Sequence, residues 1–401
     1  MTANSQLING CVAPGFEEVK NEFKRNFSKR GELGAACTVY YRGEKVVDLW
    51  GGYRDEKTKV LWEENTLVPV FSTTKGLASM TVAHAHSNGL IDYDALVVDY
   101  WPEFGQNGKE KVTVRQLLSH QAGLCVIDEP LDLENMGDPE WMAEALGKQK
   151  PAWEPGAKHG YHSFSLGCFE SELIRRIDPE KRTIGRYFHE EIAVPLELDF
   201  YIGLPEDIPL TRIATIKGIR PWQLLFNLNK MPWPFLKAMF NSRTITARTF
   251  ANPAVIQDYK SYNDPRFLAL ELPTANGVGE VRSIARAYSE FANGGKILGL
   301  HADTLNALQQ PATPPRDGLL DQALCVDTLY SMGYLKPNPS YSFGSSEKAF
   351  GTPGAGGSFG FADPDLQVGF AYAPNKFGFY LWNDPREEAL REATYRCLKK
   401  L

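Results

Sequence analysis

The chain of 401 residues has no C-x-x-C pair, no H-E-x-x-H sequence and no long unbroken apolar run. Each absence narrows the range of functions. Without paired Cys or His at ligand spacing, neither a zinc site nor a dithiol redox centre has a signature here. The six cysteines, at positions 11, 37, 125, 168, 325 and 397, are scattered. That pattern suits reduced, mostly buried thiols and predicts a cytoplasmic location. No stretch approaches the roughly 20 apolar residues that a membrane-spanning helix needs, so no membrane span is expected. Residues 1–20 lack a basic start followed by an apolar run, and no signal peptide is expected. An excess of base is also missing: 43 Lys and Arg stand against 49 Asp and Glu, a net charge of -6. Nucleic acid is therefore not an expected partner. There is no internal repeat and no low-complexity linker.

What is present is an ordinary globular composition, with enough chain for one large domain or two interleaved ones. Phe16, Val19, Phe23 and Phe27 recur at helical spacing and predict an amphipathic helix over residues 15–30. Residues 36–41 and 45–50 read as a β-hairpin, with Gly51-Gly52 breaking the second strand. Thr113 to Gln116 has the form of a capping box, and Asp138-Pro139 opens another helix. Helical patterns continue over 163–177 and 183–192. Strand signals are sparse from 86 to 270, which predicts a mainly helical domain at 86–270 inserted into a sheet domain made of 1–85 and 271–401. Residues 221–240 crowd Trp222, Phe226, Trp233, Phe235 and Phe240 among prolines. Core or a subunit interface, the latter making room for a homo-oligomer, is the expectation for this stretch over a lid or a membrane-surface element. A helix follows at 283–292. Strands are expected at 357–362, 367–373 and 377–382, and a last helix over 386–401 behind Asp384-Pro385.

One stretch organises the rest. An apolar, extended segment ends at Ser72-Thr73-Thr74-Lys75, and an amphipathic helix is expected from there to the stop signal Asn88-Gly89. A serine at a helix start meets unpaired N–H groups that can stabilise an oxyanion. Lys75 at i+3 shares the face of Ser72, close enough to exchange a proton. Ser-x-x-Lys recurs at Ser345–Lys348, in a polar stretch with no apolar periodicity after it. The residues alone leave Ser72 open between a nucleophile and a plain N-cap serine.

Other signals are weaker. Gly356-Gly357-Ser358-Phe359-Gly360 matches the G-x-S-x-G nucleophile elbow, yet every histidine precedes Ser358, and the residues after it alternate like a strand where the elbow needs a helix. His84 and His86 sit two apart on a helix and point to different faces, so no metal is expected. Cys125 and Cys168 lack local cues for activation. The turn-rich loop Trp153 to Ser163 can present the Tyr161 hydroxyl to a cleft, or bury it as a packing tyrosine.

Ser72-x-x-Lys75, then Leu117 to Leu124 (LLSHQAGL), then Tyr161-x-Ser163, then Gly354-Ala355-Gly356-Gly357-Ser358 together resemble the serine β-lactamase superfamily, most nearly the family VIII carboxylesterases and class C β-lactamases. The resemblance runs from about residue 15 to the end. It implies an α/β (α+β) fold of β-lactamase/transpeptidase type: an antiparallel sheet flanked by N- and C-terminal helices, a helical domain, and an active site between the two. It implies Ser72 as nucleophile, Lys75 as its proton partner and Tyr161 as general base, with the N–H groups of Ser72 and Ala355 as oxyanion hole. Gln121, Ser163, Thr352, Gly354 and Gly356 become candidates for the substrate pocket. No metal or organic cofactor is implied.

Two departures bear on substrate. The late strand carries Thr352-Pro353-Gly354 where β-lactamases usually have Lys-Thr-Gly, and Ser163 replaces an amide. Both favour a small neutral ester as partner over a substrate held by its carboxylate. The expected function is hydrolysis of short-chain carboxylic esters through an acyl-enzyme on Ser72. A β-lactamase, D-amino peptidase or acyltransferase on the same fold is one alternative, and a catalytically silent binding or assembly protein is the other.

Overall fold

The computed structural model describes residues 7–220, 222–223 and 226–401. Residues 1–6 of the stretch read for a signal peptide, and Pro221, Leu224 and Leu225 of the aromatic stretch, lie outside the described residues. The strands are β1 (Ile8–Val12), β2 (Gly34–Tyr41), β3 (Glu44–Gly52), β4 (Val68–Pro69), β5 (Phe200–Tyr201), β6 (Val278–Gly279), β7 (Phe350–Pro353), β8 (Phe359–Asp363) and β9 (Val368–Pro374). Six of them form one antiparallel sheet in the order β1-β3-β2-β9-β8-β7.

The two ends of the chain meet at the centre of this sheet, where Val39 of β2 lies opposite Phe370 of β9 and Ala36 opposite Ala373. Alternation sends these pairs to opposite faces. Cys37, Val39, Phe370 and Tyr372 join a core with Val19, Phe23 and Phe27 of the N-terminal helix Glu17–Lys29, with Phe16 at its N-cap, and with Leu390, Ala393 and Cys397 of the C-terminal helix Pro385–Leu398. Asp384 caps that last helix by accepting the Arg386 N–H, with Pro385 at its first turn. On the other face Ala36, Ala362, Ala371 and Ala373 are small, and the helix Val281–Ala292 lies against them through Ile284, Ala285 and Tyr288. Approach is so close that a Cβ on Gly369 would sit 2.4 Å from the Ala285 carbonyl oxygen.

Beyond this layer lie the remaining helices, with Thr73–Ser87 at their centre. This helix is not amphipathic as expected. Every residue of it except His86 is buried, because sheet, helix Ser165–Ile177 and helix Ile184–Phe188 enclose it on all sides.

Other expectations also needed correction. β3 continues through Gly51 and Gly52 instead of breaking there, Gly52 adopting a φ of +78°. Residues 377–382 form no strand: Phe377 turns inward onto Phe71 and Tyr259, and Gly378 donates its N–H to Gly356. A second sheet, β4-β6-β5, joins the segment before Ser72 to the helical region. The aromatic stretch divides. Phe235 and Leu236 are buried, while Trp222, Phe226, Trp233 and Phe240 are exposed. No helix among the described residues is long and apolar enough to cross a membrane.

Candidate active site

Ser72 is delivered by a strained turn. Val70 is tied to Gly277 by its N–H (3.0 Å), and Phe71 then takes a left-handed φ of +51°. A non-glycine residue pays about 1–3 kcal/mol for such a conformation, which must be over-determined by its surroundings. The Phe71 ring is held between Tyr262 (centroids 4.2 Å apart) and Phe377 (5.3 Å). Ser72 follows in helical conformation, and its side chain makes no capping bond. It occupies the N-cap position without the hydrogen bond of a cap serine, so its hydroxyl is left for another partner. That partner is Lys75, whose Nζ lies 3.0 Å from Ser72 Oγ and donates to the Thr274 carbonyl at 2.8 Å. The Ser72 N–H has no acceptor among the described residues.

Lys75 is buried. Loss of water pushes its amine down to about 7, opposed by the nearby carboxyl of Glu170. Glu170 is itself buried: Oε1 accepts from Ser79 Oγ at 2.5 Å, and Oε2 has no partner among the described residues. Burial raises the Glu170 carboxyl to about 8.

Tyr161 brings its ring beside Lys75, the amine 5.2 Å from the ring centroid. Burial holds its phenol above the ordinary range, and the one partner that favours ionisation is the Ser72 hydroxyl. The loop owes its position to two residues: Asp321, which neither periodicity nor motif reveals, and His120, which lies in the run Leu117 to Leu124. Asp321, fully buried, accepts the Tyr161 N–H on both oxygens (2.9 and 3.1 Å), the N–H groups of Ala323 and Leu324 and the Tyr330 hydroxyl (2.7 Å). His120, at a φ of +64°, accepts the His162 N–H on Nδ1 (3.0 Å) and packs its ring on Tyr330 and Tyr161. Burial and the neighbouring His162 and Lys75 hold His120 neutral. The local sequence around Asp321 offers only a turn signal, 160 residues from its partner.

The turn between β7 and β8 lies against the start of the Ser72 helix. A Cβ on Gly354 would fall 2.5 Å from the Val70 carbonyl oxygen and 2.8 Å from Thr73 Oγ1, so only glycine fits. Ser358 Oγ donates to that same Val70 oxygen (2.8 Å) and lies 3.0 Å from Thr73 Oγ1. The serine of the G-x-S-x-G match thus braces the turn, and β8 follows it as a strand. Ala355 is exposed at the tip, its N–H without an acceptor among the described residues. Gly356 takes a φ of +86°, and its carbonyl accepts from Gly378 N–H and Arg386 Nη2, each at 2.9 Å. Arg386 is buried with Asp384 (2.8 Å) and Glu32 (3.2 Å), which anchors the turn to the C-terminal helix.

Three pocket candidates are buried. Gln121 spends its amide on the Thr313 carbonyl (2.7 Å) and lines a cavity with Ser119, Gly156 and Arg316 that includes none of Ser72, Lys75 and Tyr161. Thr352 is buried, its hydroxyl without a partner and directed at Gly76, where the Tyr288 hydroxyl also points. Ser163 is buried and held to Tyr161 through the backbone, its N–H donating to the Tyr161 carbonyl (2.9 Å).

The remaining candidates stay apart. His84 pairs with Tyr187 and His86 with Thr304, and no metal-holding cluster of His, Cys, Asp or Glu occurs among the described residues. Burial pushes the Cys125 and Cys168 thiols up to about 12 each, which leaves them inert.

The model of the Beta-lactamase family matches residues 20–393. The chain belongs to the beta-lactamase family. Esterase/beta-lactamase LipL of Mycobacterium tuberculosis is 32% identical over 370 residues, 92% of this chain and 83% of that protein. Among solved structures, a family VIII carboxylesterase is 35% identical with a TM-score of 0.81, covering 97% of this chain and 99% of its own. A penicillin-binding protein homolog from Caulobacter crescentus is 33% identical with a TM-score of 0.83 over the same shares. This beta-lactamase-family chain is accordingly an enzyme, a hydrolase of β-lactamase fold.

Proposed function

We propose that the enzyme is a serine carboxylesterase that cleaves short-chain carboxylic esters through an acyl-enzyme on Ser72. The observation that carries this reading is the contact of buried Lys75 Nζ with Ser72 Oγ at 3.0 Å, made by a serine that is not capping its helix. Ser72 Oγ attacks the ester carbonyl carbon, and its proton passes to the Lys75–Tyr161 pair, whose titration belongs to the pair. The carbonyl oxygen becomes an oxyanion that accepts from the N–H groups of Ser72 and Ala355. The pair returns the proton to the departing alkoxide, leaving the acyl group on Ser72. Water then attacks the acyl carbon, giving a proton to the same pair; as the acyl C–Oγ bond breaks the pair returns that proton to Ser72 Oγ, and the acid is released.

Ester preference is supported by Thr352, which puts a neutral hydroxyl turned towards Gly76 where a cation would hold a β-lactam carboxylate. It is supported also by the family VIII carboxylesterase among the solved relatives. The name of LipL couples esterase with beta-lactamase, which makes β-lactam turnover the second reading. The test compares p-nitrophenyl butyrate with nitrocefin, D-alanyl peptides and acyl thioesters on wild type and Ser72→Ala. Ester turnover that dominates and vanishes with Ser72 agrees with the proposal; turnover surviving Ser72→Ala rejects it. We assign the enzyme to the cytoplasm from its six unpaired cysteines; fractionation of the source cells tests that.

A further inference from the structure

Between Asp207 and Asp258 the chain carries seven cations, Arg212, Lys217, Arg220, Lys230, Lys237, Arg243 and Arg248, and no acidic residue, although acids outnumber bases overall. Arg212, Lys217 and Arg248 are engaged by Asp199, Glu56 and Asp128. Arg220, Lys230, Lys237 and Arg243 have no carboxylate partner among the described residues. The same stretch holds the largest aromatic exposures: Trp222 57%, Trp233 70%, Phe226 79% and Phe240 81%.

Trp222 and Phe226 form an edge-on pair at 6.4 Å. Helix Trp233–Met239 buries Phe235 and Leu236, the former against Phe250 at 5.6 Å, and so fixes its outward face. On that face Lys237 falls between Trp233 and Phe240, one turn from each. Lys230 lies over the rings of Phe379 (5.3 Å) and Tyr380 (5.2 Å), in the segment that Gly378 ties to Gly356. Lys230 therefore adjoins the segment tied to the turn that carries Ala355.

We propose that this face seats the enzyme on an anionic lipid surface. Exposed Trp and Phe interleaved with unpaired Lys and Arg match the apolar boundary and negative headgroups of such a surface. A second copy fits less well, since a two-fold contact would set a face with cations and no acids against itself. Packing into the protein's own core is excluded by the four exposures. The inference stands independently of the ester reading, because binding is measured without substrate.

The test is flotation of the full chain with phosphatidylcholine vesicles, with and without about one-third phosphatidylglycerol, while following tryptophan emission. Wild type should float with the anionic vesicles, shift its emission to the blue and release as salt rises. Lys230→Gln and Lys237→Gln should each weaken binding about fivefold. The combined Trp222→Ser, Phe226→Ser, Trp233→Ser and Phe240→Ser variant should lose it while turning over a soluble ester as before. Failure to float at low salt overturns the proposal, as does flotation that the fourfold variant retains. So does a wild-type dimer that the fourfold variant dissolves while vesicles bind neither.

Discussion

Lys75 Nζ stands 3.0 Å from Ser72 Oγ and 2.8 Å from the Thr274 carbonyl oxygen. The carbonyl fixes the amine on the serine, so the geometry depends on the amine and not only on its charge. Lys75→Ala should lower kcat on a soluble ester by about 10²–10⁴-fold, the usual range for a lost proton-transfer group. Lys75→Arg, which keeps the charge but cannot release a proton, should recover little of it. Substantial recovery by arginine would contradict the proton-transfer role.

Burial brings the Lys75 amine down to about 7. Below that pH the amine is protonated and the Lys75–Tyr161 pair has no free site for the Ser72 proton, so kcat/KM should rise with pH through an acid limb centred near 7. Glu170, whose own carboxyl burial raises to about 8, carries only a fraction of a charge at that pH, and that fraction holds the amine's value up. Glu170→Gln should therefore move the limb to lower pH, read from the full pH–rate profile. A limb that stays in place or moves upward would remove Glu170 from the coupling.

Asp321 positions Tyr161 through its backbone and touches neither serine nor lysine. Asp321→Asn should lower kcat with little change in KM, because the amide can accept the Tyr161 N–H on one atom only. Tyr161→Phe should fall by about 10²–10⁴-fold. If Asp321→Asn raised KM alone, its role would lie in binding.

Arg386 links Glu32, Asp384 and the Gly356 carbonyl inside the protein. Arg386→Met leaves two carboxylates buried without their cation, and roughly 3–5 kcal/mol of stability should go with it. Urea unfolding of the variant checks this, and a loss under about 1 kcal/mol would mean that the network is dispensable.

The scaffold was legible wherever periodicity ran long enough to count. Phe16, Val19, Phe23 and Phe27 marked the N-terminal helix, and the hairpin around Gly43 marked β2 and β3. The two-residue strands β4, β5 and β6 have no period to read. Residues 377–382 have strand-like composition, but tertiary demands from Phe71 and Gly356 bend them. The Ser72–Lys75 contact followed from helical spacing alone. The left-handed Phe71 did not, since nothing local favours it and only Tyr262 and Phe377 maintain it. Asp321 is not legible in the sequence, because a backbone acceptor contributed from 160 residues away leaves no motif. Gln121, though next to His120 in a family-like run, turns to Thr313 instead of the cleft.

The most direct test of the nucleophile is intact-mass and peptide mapping after fluorophosphonate treatment of wild type, Ser72→Ala and Ser358→Ala. The account predicts one adduct, on Ser72, in wild type and Ser358→Ala, and none in Ser72→Ala. An adduct on Ser358, or none on any form, would contradict it.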